Sequence, residues 1–252
     1  MSDGSPIEWT DATWNPTTGC TKVSQGCKHC YAETLAKRLQ AMGSANYRNG
    51  FRLTLQPQML PLPLKWKGRR RIFVNSMSDL FHQLVPDTYL DQVFDVMDEA
   101  SWHIFQVLTK RPQRMAEYIA RRYGASGAPA QIWVGTSIED QRVAARLVDL
   151  ARTPAATRFL SCEPLIGPLI DLDLSGIHWV IVGGESGGGH RPMSAAWVRQ
   201  IRRQCRAAGV AFFFKQWGGV NPTSGGRLLD GREYNEMPRS ARSTGRRAAR
   251  LA

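Results

Sequence analysis

Long apolar runs are missing from this 252-residue chain: none approaches the roughly 18 consecutive apolar residues that a membrane-spanning helix needs. The opening "MSDGSPIEWTDATWNP" also lacks the basic, then apolar, then small-residue order of a secretory signal. Both absences point to a cytoplasmic protein with no membrane partner. Acidic residues are also few. Only 21 Asp and Glu stand against 33 Lys and Arg, a net charge of +12, and such a field favours polyanions through counterion release. Nucleic acid heads that group, and a solvated basic surface is the plain alternative. Cysteine is scarce as well, five residues in all, with Cys20, Cys27 and Cys30 bunched and Cys162 and Cys205 far away. An odd, bunched set argues against a disulfide framework and suits metal or redox chemistry in a reducing compartment.

What is present is a repeated pattern. Short β-branched and aromatic runs at 71–76, 103–109, 131–136, 157–162, 178–183 and 210–215 alternate with amphipathic segments at 87–100, 111–123, 138–152 and 194–208. A further helix at 31–42 and a short first strand near Ile7–Thr10 complete six to seven βα repeats, an α/β chain with a partial or complete parallel (βα) barrel. The connection after Cys162 carries two prolines and little helical period, so that crossover is irregular. Residues 1–238 read as a single barrel domain with a proline-rich surface excursion near 44–70, and 239–252 as a basic, disordered tail. Five strands end on polar or small residues: Asn75-Ser76, Thr109-Lys110, Thr136-Ser137, Gly183-Gly184-Glu185 and Lys215-Gln216. Glu163 directly follows the strand ending at Cys162. Carboxyl ends of barrel strands face the active site, so these residues read as a functional rim, with turn and cap roles as the alternative for each.

The thiols stand as C-x6-C-x2-C directly before the 31–42 helix. A structural zinc site closes with four ligands, and the only nearby candidate for a fourth is His29, awkwardly adjacent to Cys30. Three thiolates alone can hold three irons of a [4Fe–4S] cube and leave the fourth iron open for chemistry.

The segments "IEWTDATWNPTTGCTKVSQGCKHCYAE", "SMSDLF", "LTKRP", "VGTSIED", "FLSCEPL", "VIVGGESG" and "FFFKQWG", spread over about residues 7–220, together resemble a phage-associated three-Cys-motif family of radical-SAM-like proteins, distantly similar to photoproduct lyases. That resemblance implies a barrel of radical SAM type whose Cys20, Cys27 and Cys30 carry a [4Fe–4S] cluster. It implies S-adenosyl-L-methionine on the open iron and a 5′-deoxyadenosyl radical as the reactive product. The chain departs from the superfamily's usual C-x3-C-x2-C, and its Gly-Gly-Glu follows a late strand instead of the second. The resemblance therefore places the methionine moiety near Asn75, Ser76 and Asp79, with Thr136, Ser137 and Glu163 on the cofactor rim and Gly183, Gly184 and Glu185 beside it.

Lys110 and Lys215 stand at strand ends, where each could hold a phosphate or carboxylate or equally pair with Glu163 or Glu185. Cys162 is the thiol placed as a possible hydrogen donor, with an inert buried cysteine as the other reading. Lys65, Lys67 and Arg69–Arg71, then Arg111 and Arg114, the arginine tail, and the rings of Trp66 and Trp217 suggest a basic face beside the barrel mouth. The expected activity is radical chemistry on nucleic acid, in repair or modification, with DNA ahead of RNA, by a monomer served by a reducing electron-donor protein. A small-molecule or peptide substrate, or a zinc-stabilised nucleic-acid-binding module without turnover, are the alternatives.

Overall fold

A computed structural model describes residues 4–221 and 223–238; the tail 239–252 lies outside the described residues. In chain order the elements are β1 (Ala12–Trp14), β2 (Thr17–Thr18), α1 (Tyr31–Ala41), β3 (Thr54–Leu55), β4 (Arg71–Val74), α2 (Asp87–Glu99), β5 (Ile104–Thr109), α3 (Pro112–Tyr123), β6 (Ala128–Ser137), α4 (Arg146–Arg152), β7 (Ala155–Cys162), β8 (Trp179–Gly183), α5 (Ala195–Ala208) and β9 (Ala211–Gln216). Seven strands form one all-parallel sheet in the order β1-β4-β5-β6-β7-β8-β9. The order never reverses, so right-handed crossovers lay every helix on one face and the sheet curls around the other, giving a half-barrel. Between α1 and β4 the chain runs through single 3-10 turns and β3, which pairs antiparallel with β2 outside the main sheet.

Alternation along the strands divides the core in two. Ile72, Val74, Phe105, Val107, Val134, Leu160 and Val182 pack against the helices. The intervening positions Phe73, Trp133, Phe159, Trp179, Ile181 and Phe213 join Trp9 on the concave face. Trp179 stands at the centre of that layer, with ring centroids of Trp9, Trp133, Phe159 and Phe213 within 5.8–6.2 Å. Gly135 makes room for it, since a Cβ there would lie 2.6 Å from the Phe159 ring. Toward the carboxyl ends the same concave positions turn polar, as Lys110, Ser137, Glu139, Ser161, Glu163 and Lys215. The aromatic floor is thus capped by a charged mouth.

Two expectations shift. The first strand is Ala12–Trp14, not Ile7–Thr10, because the Thr10 amide donates to Ile7 O (3.2 Å) and its hydroxyl contacts Ala12 O and Arg71 O (3.2 and 3.0 Å), closing a turn. The helix expected over 138–152 is only Arg146–Arg152. Ile138 still donates to Ser161 O at 3.0 Å along β7, and the Asp140 side chain accepts from the Arg142 amide (3.0 Å) to start a 3-10 turn over Gln141–Val143. The crossover after β7 contains no helix, as its prolines predict. Among the described residues no helix is long and apolar enough to cross a membrane.

Replacing Trp179 by Ala is expected to cost about 3–5 kcal/mol of folding stability, the range for truncating a fully buried large aromatic. Val148→Ala, at an exposed position, should change it by less than about 0.5 kcal/mol. Denaturant titration of both variants checks the contrast.

Candidate functional site

The cysteine loop leaves β2 at the carboxyl end of β1 and enters α1, which places it over the charged mouth. Close approach requires glycine at two points. A Cβ on Gly19, whose φ is +77°, would lie 2.3 Å from Arg52 O, and one on Gly26 would lie 2.3 Å from Glu139 Cγ.

Each cysteine has an ionic anchor beside it. Near Cys20, Arg111 Nη1 donates to the Sγ at 3.7 Å and to Asp79 Oδ2 at 2.8 Å, while its Nη2 reaches Thr21 Oγ1 at 3.0 Å. Asp79 is fixed in turn by the Thr109 hydroxyl (2.7 Å) and the Lys110 amide (3.1 Å). Near Cys27, Ser24 Oγ lies 3.8 Å from the Sγ and donates to Glu139 Oε1 at 3.0 Å. Glu139 is 1% exposed and also holds Lys110 Nζ (2.7 Å) and Arg146 (3.1 Å). Beside Cys30, His29 Nδ1 lies 3.1 Å from Glu185 Oε2, and Glu185 also accepts from the Arg191 amide and guanidinium. Arg191 Nη2 closes the clamp on Gln25 O at 3.0 Å.

Burial, then the Asp79 charge, pushes the Cys20 thiol up to about 11 against the opposing Arg111, and burial raises Cys30 too. For Glu185 burial also favours the neutral acid, but bonds from Arg191 and His29 outweigh it and bring the carboxyl down to about 2. The three thiols share one eleven-residue segment. Even so, among the described residues no group of three or more His, Cys, Asp or Glu stands in a metal-holding arrangement. The donor set itself suits a thiolate-held cluster: three free cysteines, a guanidinium on one sulfur, and nearby imidazoles already engaged, His29 by Glu185 and His82 by Thr21. Thiols held protonated by burial deprotonate when metal binds.

The remaining rim residues sort by what they touch. Asn75 is 2% exposed with φ +62°; its Nδ2 donates to Thr17 Oγ1 (2.8 Å), and among the described residues its Oδ1 has no hydrogen-bond partner. The Ser76 hydroxyl meets Asn15 at 3.2–3.3 Å and its carbonyl accepts from the Tyr31 hydroxyl. Ser137 and Glu163 lie on the concave side, and Glu163 pairs with Lys215. Lys110 pairs with Glu139, a partner the sequence did not suggest. Thr136 turns inward and donates to Thr109 O at 2.9 Å. Gly183 and Gly184 serve close packing: a Cβ on Gly184 would lie 2.0 Å from Trp217 O. Cys162 is not part of the mouth. It is fully buried on the helix side, where burial and Cys205 push its thiol well up, a place and state that do not suit a hydrogen donor at the mouth.

The basic face also divides. Lys65, Lys67, Arg69 and Arg70 precede β4 and Arg71 opens it, so all five lie at the amino end of the parallel sheet, opposite the cysteine loop. Trp66 packs there against the core, while Trp217 follows β9 at the mouth end with its Nε1 on Leu228 O at 2.9 Å. Arg111 and Arg114 do stand near the mouth, but each is already bonded to an aspartate and to further protein acceptors.

A family model described as "Protein of unknown function (DUF5131)" matches residues 4–238. The chain belongs to that family. No curated protein matches. Among solved structures, a doubly substituted spore photoproduct lyase with bound AdoMet and dinucleoside spore photoproduct is similar at 12% identity and TM-score 0.43, covering 76% of this chain and 60% of the lyase. Spore photoproduct lyase complexed with dinucleoside spore photoproduct is similar at 13% identity and TM-score 0.40, covering 75% and 58%. The chain spans about three-fifths of those lyases.

Replacing Glu185 by Ala frees His29 and Arg191 together. The metal-free protein is expected to lose about 1–3 kcal/mol of stability and to show faster alkylation of Cys30 by iodoacetamide, while buried Cys205 is unchanged; mass spectrometry of the two thiols reads this.

Proposed function

We propose that this protein is a radical S-adenosyl-L-methionine enzyme that acts on nucleic acid. The observation that carries the reading is the cysteine loop itself: three free thiols on one segment, anchored at Asp79, Glu139 and Glu185 over the carboxyl ends of a half-barrel. Cys20, Cys27 and Cys30 would hold a [4Fe–4S] cluster, which together with S-adenosyl-L-methionine supplies a reactive carbon radical. The protein's share is to place the cofactor and keep water out.

Asn75, which follows β4 next to Thr17 of β2 where the cysteine loop begins, is a strand-end residue suited to the methionine ammonium, since among the described residues its buried Oδ1 is an acceptor with no partner and leaving such a group unmatched is costly. Ser76 and Ser137 offer small hydroxyls at the same rim. Glu185, Asp79 and Glu163 already neutralise Arg191, Arg111 and Lys215, which argues for positioning roles. The net charge of +12 supports a polyanionic substrate. Kinship with the phage-associated three-Cys proteins rests on the quoted motifs.

Anaerobic reconstitution with iron and sulfide, followed by dithionite and S-adenosyl-L-methionine, should yield 5′-deoxyadenosine from the wild-type protein. Cys27→Ala should lose both the cluster and this product. Full iron and sulfide in Cys27→Ala would overturn the assignment.

A separate expectation concerns Asn75→Asp, which replaces the neutral acceptor with a carboxylate at a buried, left-handed backbone position. Calorimetry of the reconstituted protein should show altered affinity for S-adenosyl-L-methionine, whereas Thr136→Val, altering a hydroxyl already bonded to Thr109 O, should leave that affinity within about twofold.

A further inference from the structure

Charge on the mouth side is unevenly distributed. Residues 20–52 contain six cations, Lys22, Lys28, Lys37, Arg38, Arg48 and Arg52, against the single acid Glu33. All six are exposed. Glu33 takes Lys22 (3.0 Å) and Lys37 (2.8 Å), and among the described residues the other four have no acidic partner within ion-pair distance.

These residues form one substructure at the carboxyl end of the sheet. The Cys20 amide donates to Phe51 O at 3.2 Å, and Ala32, Ala36, Tyr47 and Met77 pack together beneath α1 and the turn that follows it. Along α1, Tyr31, Leu35, Arg38 and Met42 lie at i, i+4, i+7 and i+11, so they share a stripe. Its three apolar members are exposed, at 54%, 39% and 70%. The Tyr31 ring stands where the stripe meets the mouth, tied through its hydroxyl to Ser76 O.

Resting on the nucleic-acid reading above, we infer that this face of the cysteine loop, α1 and the 43–52 turn is the nucleic-acid-binding surface, and that it takes single-stranded nucleic acid. Charge complementarity selects the occupant: four uncompensated cations in a short stretch make an electrostatic track for phosphates. An exposed tyrosine at the edge of the mouth gives a base a stacking surface, as single-strand binders use aromatic rings. The strand would then pass directly over the segment that carries the three cysteines. The amino-end cluster Lys65, Lys67 and Arg69 lies across the molecule from that segment and is not part of the surface.

The test compares two sets of substitutions in the full chain. Anisotropy of a labelled single-stranded deoxyoligonucleotide, titrated from about 50 to 200 mM salt, gives the slope of log affinity against log salt. The variant Lys28→Ala/Arg38→Ala/Arg48→Ala/Arg52→Ala should have a slope shallower by about 2–3. Lys65→Ala/Lys67→Ala/Arg69→Ala should keep the wild-type slope. Tyr31→Leu should weaken binding by about tenfold with its slope unchanged. Circular dichroism and the melting temperature establish that each variant folds. An unchanged slope in the four-site variant, or the loss appearing instead in the Lys65 set, overturns the surface. Reduction by an acidic flavodoxin that slows in the four-site variant while its oligonucleotide slope stays wild-type would assign the face to a protein partner and also overturn it. The dithionite assay without oligonucleotide reports separately on the cofactor chemistry. Binding slopes as expected with no 5′-deoxyadenosine would uphold the surface and reject the chemistry; the reverse would reject the surface alone.

Discussion

Glu139 and Glu185 are 1% and 3% exposed, and a carboxylate taken that far from water persists in its charged form only when cations and hydrogen-bond donors replace the lost solvation. Both find those partners in segments that would otherwise have no reason to meet. Glu139 collects Lys110 from the end of β5, Arg146 from α4 and Ser24 from the cysteine loop. Glu185 collects Arg191 from its own connection and His29 from the loop. The cysteine loop is held because it supplies ligands to buried charges that the barrel cannot leave unmatched.

The half-barrel prepares that requirement. A sheet that adds strands in chain order curls, and its concave positions crowd together at a single mouth. Below, large aromatic rings fill the space; above, the same alternation delivers charged side chains from neighbouring strands within bonding distance, as Lys110–Glu139 and Lys215–Glu163 show. The mouth is therefore an ion-pair network before any ligand enters, and Asn75 Oδ1, unpartnered among the described residues, is an exception within it. Glycines at 19 and 26 let the loop lie flat on this network, since a Cβ at either would collide.

The Gly-Gly-Glu segment illustrates how motif and role separate. By sequence it suggests a cofactor site, yet Gly184 is required by the close approach of the Trp217 backbone, Gly183 packs tightly against the Glu163 side chain, and the Glu185 carboxylate is spent on Arg191 and His29. A motif states which residue types are adjacent in the chain; the number of free acceptor positions on a carboxylate depends on what packs around it.

The sequence by itself determined the parallel α/β architecture, because period-2 and period-3.6 patterns are local and each strand announces its own two faces. It also set three cysteines on one segment and polar residues at the strand ends, since strand ends follow from strand positions. Other features came to light only in the tertiary structure. The first strand moved to Ala12–Trp14 because a turn bonded to Arg71, far along the chain, occupies 7–10. Cys162 fell on the helix side because strand registry fixes Ser161 and Glu163 on the other. Glu139 was hidden inside an expected helix, although carrying the alternation from Ser137 two residues further would have found it. Likewise, Lys65–Arg71 and the mouth were separated only once the strands were known to run one way, since charge along a chain says nothing about which end of a sheet receives it. Local pattern depends on neighbours in sequence, whereas pairing, sidedness and charge compensation depend on neighbours in space.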